Sequence, residues 1–481
     1  MGYKDLRDYL SALDEKGWLK RIPVEVDPEL EMAEIADRTV KKGGPALLFE
    51  KAKGSEYPVV LNLFGTEAMT HLAFEVDRIE QIADRIRDYM QLQPPTGLWD
   101  KIMMLPKLGE LANFIPKTVK SGPCQEVVLK GDAIQLSKFP ILKCWPQDGG
   151  RYITLPLCIT RDPRTGIRNM GMYRIQVYDD QTTGMHFQLH KHAARHEEAY
   201  GKMGKKLEMA VALGGDPATI FAATAPCPDN IDEFLLAGFM RREPVELVKC
   251  QTIDLEVPAQ AEIILEGYVD PSERRVEGPF GDHTGFYSLA EPYPVFHLTC
   301  ITHRKEPIYP ATVVGRPLME DFFLGDATLR IFLPFLQMTV PEIQDMYFPP
   351  EGVFHNCCIV SIKKSYPGQA RKVMHALWGL GQMMFTRLII VVDETVHVRD
   401  LSEVAWMAFN SMDAQRDMEI VKGPLDDLDR AAPVARYGAK LGIDATKKWP
   451  EEGMPREWGD EITMSGDIQE QVTRRWKEYG F

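Results

Sequence analysis

None of the eight cysteines stands in a Cys-x-x-Cys pair, and only Cys357 and Cys358 are adjacent. That spacing sets aside a disulfide framework and a thiolate zinc site, and the thiols read as the reduced thiols of a cytosolic protein. No apolar run approaches the roughly 20 residues a membrane helix needs. The stretch Met1-Gly-Tyr-Lys-Asp-Leu-Arg7 carries charge without an apolar core, so no secretory signal is expected. Basic residues are in deficit: 56 Lys and Arg face 70 Asp and Glu, a net charge of −14. Broad nucleic-acid binding needs basic surface to displace counterions and is therefore not expected. Gly-x-Gly-x-x-Gly and Walker loops are absent, and Gly201-Lys-Met-Gly-Lys-Lys206 is only a superficial echo. Gly-x-Ser-x-Gly and His-Glu-x-x-His are absent too, which removes the hydrolase elbow and the zinc-protease helix.

What is present fits a mixed α/β chain. At 481 residues and 44% hydrophobic content it suffices for two or three domains. Leu6, Leu10 and Leu13 have helical spacing, stopped by Gly17. Asp27-Pro28-Glu29 reads as a helix start, with the helix running to about Lys42. Leu47–Phe49 and Val59–Leu61 read as strands, and 76–91 as an amphipathic helix. A Pro- and Lys-punctuated connector follows over 96–122, with helical character around 107–113. Leu207–Gly215, Thr219–Thr224, Val245–Val248, Ile253–Val257 and Ala261–Val269 read as strands, and Asn230–Gly238 as a helix capped by Asn230. Further on, Cys358–Ile362, Gln369–Leu377, Leu388–Val392 and Leu401–Asn410 alternate strand and helix, which implies a right-handed parallel crossover. Trp406 and Phe409 are expected to pack that sheet, and Met374–Met384 to be core or a dimer interface. The expected boundaries are 1–122, 123–315 and 316–481.

The stretch 152–196 carries the first chemical signal. Three apolar runs, Tyr152–Thr160, Ile167–Tyr178 and Met185–His192, are separated by turns rich in Asp, Thr and Gly, as in a strand meander. In the third run Phe187 and Leu189 alternate with His186, Gln188, His190 and His192, so a strand would face one way with apolar groups and the other with imidazoles. In the second, Arg174 and Gln176 alternate with Tyr173, Ile175 and Val177. A half-solvated antiparallel sheet alternates in this way without function. Yet four of the eleven histidines fall between His186 and His196, which is unusual for a plain wet face. His192, Asn169 and one carboxylate are candidate metal ligands, a donor set better suited to manganese or magnesium than to zinc.

The second signal is Glu277-Gly-Pro-Phe-Gly-Asp-His-Thr-Gly285. Glycine and proline fix a tight backbone that can hold an acid at a defined place. Burial or a neighbouring carboxylate would raise the pKa of Asp282 for proton donation. The plain alternative is a surface turn in which Asp282 bonds local amides.

Taken together and in this order, several stretches resemble the UbiD family of prenylated-flavin-dependent decarboxylases over essentially the full chain. The closest resemblance is to the branch acting on 4-hydroxy-3-polyprenylbenzoate. The carriers are Asn169-Met-Gly-Met-Tyr-Arg174, His192, Asp232-Glu-Phe-Leu-Leu-Ala-Gly238, Val248-Lys-Cys250, Asp254–Ala259, Glu277–Gly285, Gly315-Arg-Pro317, and Lys440-Leu-Gly-Ile-Asp-Ala-Thr446 with Lys448-Trp-Pro450. The resemblance implies an N-terminal α/β domain, a central split β-barrel of flavin-reductase type and a C-terminal α/β domain that mediates homodimers, with homohexamers also occurring.

It also implies roles. Asn169, His192 and Glu233 match manganese ligands, the metal holding the phosphate of prenylated FMN. Met172, Tyr173 and Arg174, with Gln188, Leu189, His190 and Lys191, match cofactor-lining segments, and Lys440 is the candidate for a distal phosphate lysine. Carbonyls near Ala222–Ala225 match a potassium site. Arg174, Glu277 and Asp282 match the catalytic network; some members carry Glu where Asp282 stands, one methylene longer. A flavin prenyltransferase would supply the cofactor. The chemistry agrees: departure of carbon dioxide from an aromatic acid leaves a carbanion that no side chain absorbs, so an electron-sink cofactor is needed. The expected activity is a reversible, non-oxidative decarboxylation in quinone biosynthesis, with Asp282 as proton donor and Glu277 helping to raise its pKa. The rivals are a (de)carboxylase of a small hydroxyaromatic, heteroaromatic or naphthoic acid, and a non-catalytic flavin- or metal-binding subunit of a carboxylase. A polyprenyl substrate would require an apolar channel or peripheral contact with the bilayer.

Overall fold

Asp5 begins the first helix: its carboxylate accepts the Asp8 amide at 3.0 Å, and Leu6, Tyr9, Leu10 and Leu13 form the buried stripe of Leu6–Glu15. The computed structural model describes residues 2–90, 109, 112–188, 191–228, 231–456, 459 and 461–481. Most of the connector, the Asn230 cap, Leu189 and His190 lie outside these residues.

The first sheet runs in the order Leu19–Val26, Ala46–Ala52, Val59–Leu61 and Tyr309–Pro310, so its last strand returns from far along the chain. The helix expected from Asp27 begins later, at Glu31. Asp27 instead accepts the Glu29 amide in a local turn, which diverts the cap.

The central sheet has nine strands, ordered Tyr152–Ile153, Ile175–Val177, Thr182–Met185, Glu291–His303, Ile263–Glu277, Leu207–Leu213, Pro156–Arg161 and Arg168–Gly171, with Val127–Lys130 paired to Glu291–His303. Its pairings are antiparallel. The run expected as one strand over 167–178 is two. Arg168–Gly171 lies at one end of the sheet and Ile175–Val177 next to the other, yet the backbone between them spans at most about 15 Å. The sheet must curl to bring its ends together, and among the described residues no ladder joins those ends. The third run also differs from expectation. Its strand stops at Met185, and His192 opens the helix His192–Lys202. The segment Thr219–Thr224, expected as a strand, is mostly the helix Pro217–Ala222. Gly214 and Gly215 break the preceding strand, Asp216 caps Thr219 at 3.1 Å and Pro217 sits in the first turn.

The last sheet runs Ile343–Tyr347, Cys357–Ile362, Leu388–Asp393, Tyr437–Asp444 and Met418–Pro424, its three inner strands parallel as the crossover pattern implied. Met374 is fully buried against it. Trp406 and Phe409 do not pack it: they are 48% and 80% exposed. The helix Leu401–Ser411 buries Val404 and Ala408, four residues apart, which turns those two rings outward. In this sheet the strands Ile343–Tyr347, Met418–Pro424 and Tyr437–Asp444 went unanticipated, and so did the helix Glu320–Thr339. Among the described residues no helix is long and apolar enough to cross a membrane.

Candidate active site

The two longest strands, Ile263–Glu277 and Glu291–His303, pair up to Glu277 opposite Glu291, and the acid-bearing loop is the tip between them. Several groups fix this tip. Asp148 accepts the amides of Cys144 and Trp145 with one oxygen and that of Gly281 with the other. Gln176 accepts the Gly278 amide at 2.8 Å. Gly278 has φ +99°, open to glycine at little cost, and a Cβ on Gly281 would lie 2.2 Å from the Trp145 ring.

Arg174 stands immediately before Ile175–Val177, where the chain re-enters the sheet. Its Nε and Nη2 each donate to a Glu277 oxygen at 2.9 Å, its Nη1 donates to Asp282, and Nη2 also reaches Ser288 Oγ at 2.9 Å. The guanidinium lies over the Phe280 ring, 5.0 Å from its centre. Glu277 also receives His186 Nδ1 at 3.1 Å. Arg174, Glu277 and Asp282 are all buried. The structure thus assembles three residues that the chain spreads over more than a hundred positions.

The charge state of the acid departs from expectation. Burial alone would raise Asp282, but the His283 hydrogen bond and charge and the Arg174 guanidinium outweigh it and hold the carboxyl well below the usual range. Glu277 is lowered in the same way, by His186 and Arg174 against burial. The proximity of two carboxylates therefore does not raise the acid's pKa, because a guanidinium bridges them.

Asn169 and Glu233 meet across two links that bracket Asn169. Arg168 pairs with Asp232 at 2.7 Å, and the Met170 amide donates to Glu233 at 2.7 Å. His192 begins its helix one turn before His196, whose Nδ1 lies 2.9 Å from Thr160 Oγ1; Thr160 is the register partner of Asn169. All three candidate ligands therefore sit on elements joined around one strand. Glu233 is buried and its carboxyl is pushed up to about 8, burial dominating and Asp232 adding to it. Asn169 Nδ2 is buried without a hydrogen-bond partner. A buried carboxylate that forms no ion pair among the described residues, beside an unsatisfied amide, fits a bound cation. The donors are one amide, one imidazole and one carboxylate; among the described residues no group of three His, Cys, Asp or Glu forms a metal cluster.

Tyr173 is buried, with its hydroxyl accepting the Ala193 amide at 3.4 Å at the start of the His192 helix. Met172 donates its amide to the Ala223 carbonyl at 2.9 Å, and the Ala222 and Ala225 carbonyls accept the Ala225 and Cys227 amides, so three of the four Ala222–Ala225 carbonyls are already engaged. Lys191 precedes the His192 helix, and Gln188 accepts its amide. Lys440 is engaged elsewhere: it is buried in the C-terminal sheet and donates to the Met384 carbonyl. Ser288, Asp148 and His355 carried no sequence signal, whereas His186 was visible in the alternation of its run.

Comparison with known proteins gives matches along most of the chain. Family profiles of 3-octaprenyl-4-hydroxybenzoate carboxy-lyase (UbiD) match its N-terminal domain at residues 10–86, its Rift-related domain at 117–317 and its C-terminal domain at 322–445. A protein from Archaeoglobus fulgidus is 54% identical over 480 residues, covering 99% of each chain. The UbiD-class enzyme HmfF from Pelotomaculum thermopropionicum, solved with FMN, is 31% identical with a TM-score of 0.81, covering 97% of this chain and 98% of its own. An evolved dimeric form of HmfF with prFMN aligns at 30% identity and 0.78, with the same coverage. The vanillic acid decarboxylase of Sedimentibacter hydroxybenzoicus in its closed form is 31% identical with a TM-score of 0.86, covering 100% and 99%.

Proposed function

The chain belongs to the UbiD family of carboxy-lyases, and on that premise we propose that it decarboxylates an aromatic acid through Arg174, Glu277 and Asp282, with prenylated FMN as cofactor. The buried Arg174 fork, shared between Glu277 and Asp282, carries this reading. When bound, the flavin supplies the electron sink for the pair left by departing carbon dioxide. Arg174 binds the substrate carboxylate and orients it. Glu277 and Ser288 hold the guanidinium plane, and Asp282 delivers the proton that replaces carbon dioxide. Asn169, His192 and Glu233 would hold manganese at the cofactor phosphate. Met172, Tyr173 and the 188–191 segment would line the cofactor, and the Ala222–Ala225 carbonyls would take potassium. A flavin prenyltransferase would supply the prenylated flavin, and the exposed Trp406 and Phe409 favour a homo-oligomer.

For the substrate we propose a 4-hydroxy-3-polyprenylbenzoate, as a step of quinone biosynthesis; the family to which the profiles belong is described by that acid. A small hydroxyaromatic acid is the second reading, favoured by the likeness to vanillic acid decarboxylase. The test is carbon dioxide release by the full chain co-expressed with a flavin prenyltransferase, on prenylated and bare 4-hydroxybenzoates and on vanillate. Preference for the prenylated acid supports the first reading, and preference for a bare acid the second. No release from any aromatic acid by cofactor-loaded protein overturns both and leaves the non-catalytic subunit.

A further inference from the structure

Asp282 is the proton donor of the proposed reaction, yet its contacts with Arg174 and His283 hold it below the usual carboxylate range and favour the ionised form. Its two oxygens divide the work. Oδ2 faces Arg174, while Oδ1 accepts the His283 amide at 2.7 Å and lies 2.8 Å from His283 Nδ1. The other ring nitrogen of His283, Nε2, lies 2.9 Å from His355 Nε2. Two nitrogens at that distance share one proton, so one ring must donate. His355 reaches across from the C-terminal sheet region, just after Pro350–Gly352, and its own Nδ1 is buried without a hydrogen-bond partner. The residues before it, Val353 and Phe354, have φ of 45° and 46°. Non-glycine residues persist there only where the surroundings fix them. Phe354 packs its ring 5.3 Å from that of His283.

Resting on the decarboxylase reading, we propose that His283 is the proton store for Asp282: its Nδ1 proton passes to the carboxylate when a substrate carboxylate takes over Arg174, and His355 holds the ring in place by accepting the Nε2 proton. The charges around the pair agree. Asp282 from the loop, Asp321 from the helix Glu320–Thr339 and Asp426 from the C-terminal region face His283 and favour its charged form, outweighing burial. Burial first, then the neighbouring His283 charge, with Lys191 adding to them, lower His355 to about 4 against Asp426 and Asp429, so it is the neutral acceptor. With Arg174 neutralised by substrate, Asp282 loses a cation and its proton affinity rises toward that of the imidazole beside it. In the balance of one turnover the ring–carboxyl carbon bond breaks, carbon dioxide leaves, and a carbon–hydrogen bond forms with the Asp282 proton. The Asp282 proton comes from His283 Nδ1, and that nitrogen is reprotonated from solvent after product leaves. No oxidant or reductant is needed. His283 and His355 are supporting residues that act through Asp282.

Histidine-selective nitrogen-15 NMR of the full, cofactor-free chain reads the store without turnover. At pH 6.5 His283 is expected to be doubly protonated and His355 neutral, and Asp282→Asn is expected to shift His283 toward the neutral form. A neutral His283 in the wild type overturns the proposal. In the cofactor-loaded enzyme, His283→Gln is expected to lower kcat about 100-fold or more with KM held within about threefold. His355→Leu should move the alkaline limb of the kcat–pH profile to lower pH, and His355→Gln, which still accepts the Nε2 proton, should move it back. A His283→Gln enzyme with wild-type kcat and pH profile also overturns the proposal. A wild type that turns over no aromatic acid defeats the functional reading instead, and the NMR result still decides the store.

Discussion

Arg174 meets both oxygens of Glu277, each contact 2.9 Å, although 103 residues separate the two in the chain. The fork leaves Nη1 free to reach the acid on the loop, so one guanidinium sets the distance between the Glu277 and Asp282 carboxylates. A lysine offers a single ammonium and cannot satisfy both carboxylates and Ser288 in one plane.

Arg174→Lys and Glu277→Ala are therefore expected to abolish carbon dioxide release and to destabilise the fold. Removing one partner of a buried pair costs about 3–5 kcal/mol. Both carboxylates are held below the usual range, so the stability they contribute is present above about pH 4 and lost only as pH falls through their lowered folded values. Denaturant unfolding between pH 3 and 7 checks this. A Glu277→Ala protein as stable as the wild type at pH 7 would contradict it.

Asp282→Asn keeps the shape of the loop and removes the carboxylate that would pass on the proton. Carbon dioxide release is expected to fall by about 100-fold to 10,000-fold, the range for a lost general acid. Flavin content, read from the absorbance of the purified holoprotein, should stay at the wild-type level, because Asp282 is not among the proposed cofactor ligands. Turnover equal to wild type would take Asp282 out of the acid role.

How much of this could be read from residue order depends on distance along the chain. Glu277 and Asp282 lie on one glycine-punctuated loop, and their shared confinement is a local property. Their union with Arg174 was implied only by family resemblance, because it depends on long-range pairing that alternation cannot report. The split of 167–178 into two strands was missed for a related reason: the break at Met172-Tyr173-Arg174 is preceded only by the single Gly171, which does not by itself end an apolar run. His192 was placed on a strand because imidazoles and apolar residues alternate before it. Its helix packs through His196 on Thr160, a tertiary contact. The charge of Asp282 was misjudged because counting carboxylates along the loop omits the guanidinium and imidazole brought in by the fold.

Phe409 is 80% exposed and Trp406 48%, on a helix face that the described residues leave uncovered. If this face joins copies of the chain, Phe409→Glu should lower the mass measured by light scattering without changing the circular dichroism spectrum. An unchanged mass would move the interface elsewhere.

Glu233 gives the sharpest test of the metal. Its folded pKa stands near 8, raised chiefly by burial above the ordinary carboxylate value. A carboxyl raised in the folded state contributes stability at low pH, and that contribution is lost as pH climbs from about 4 through its folded value. Without metal, the protein should therefore become less stable on this account between about pH 4 and 8. Manganese favours the ionised form, so it should recover stability, and more at pH 8 than at pH 5.5, where protons compete for the same oxygens. Thermal unfolding with and without manganese chloride at the two pH values measures the difference. Glu233→Gln removes the titration, so its metal-free stability should be flatter with pH and its response to manganese small. An equal manganese response in wild type and Glu233→Gln would show that the ion binds elsewhere.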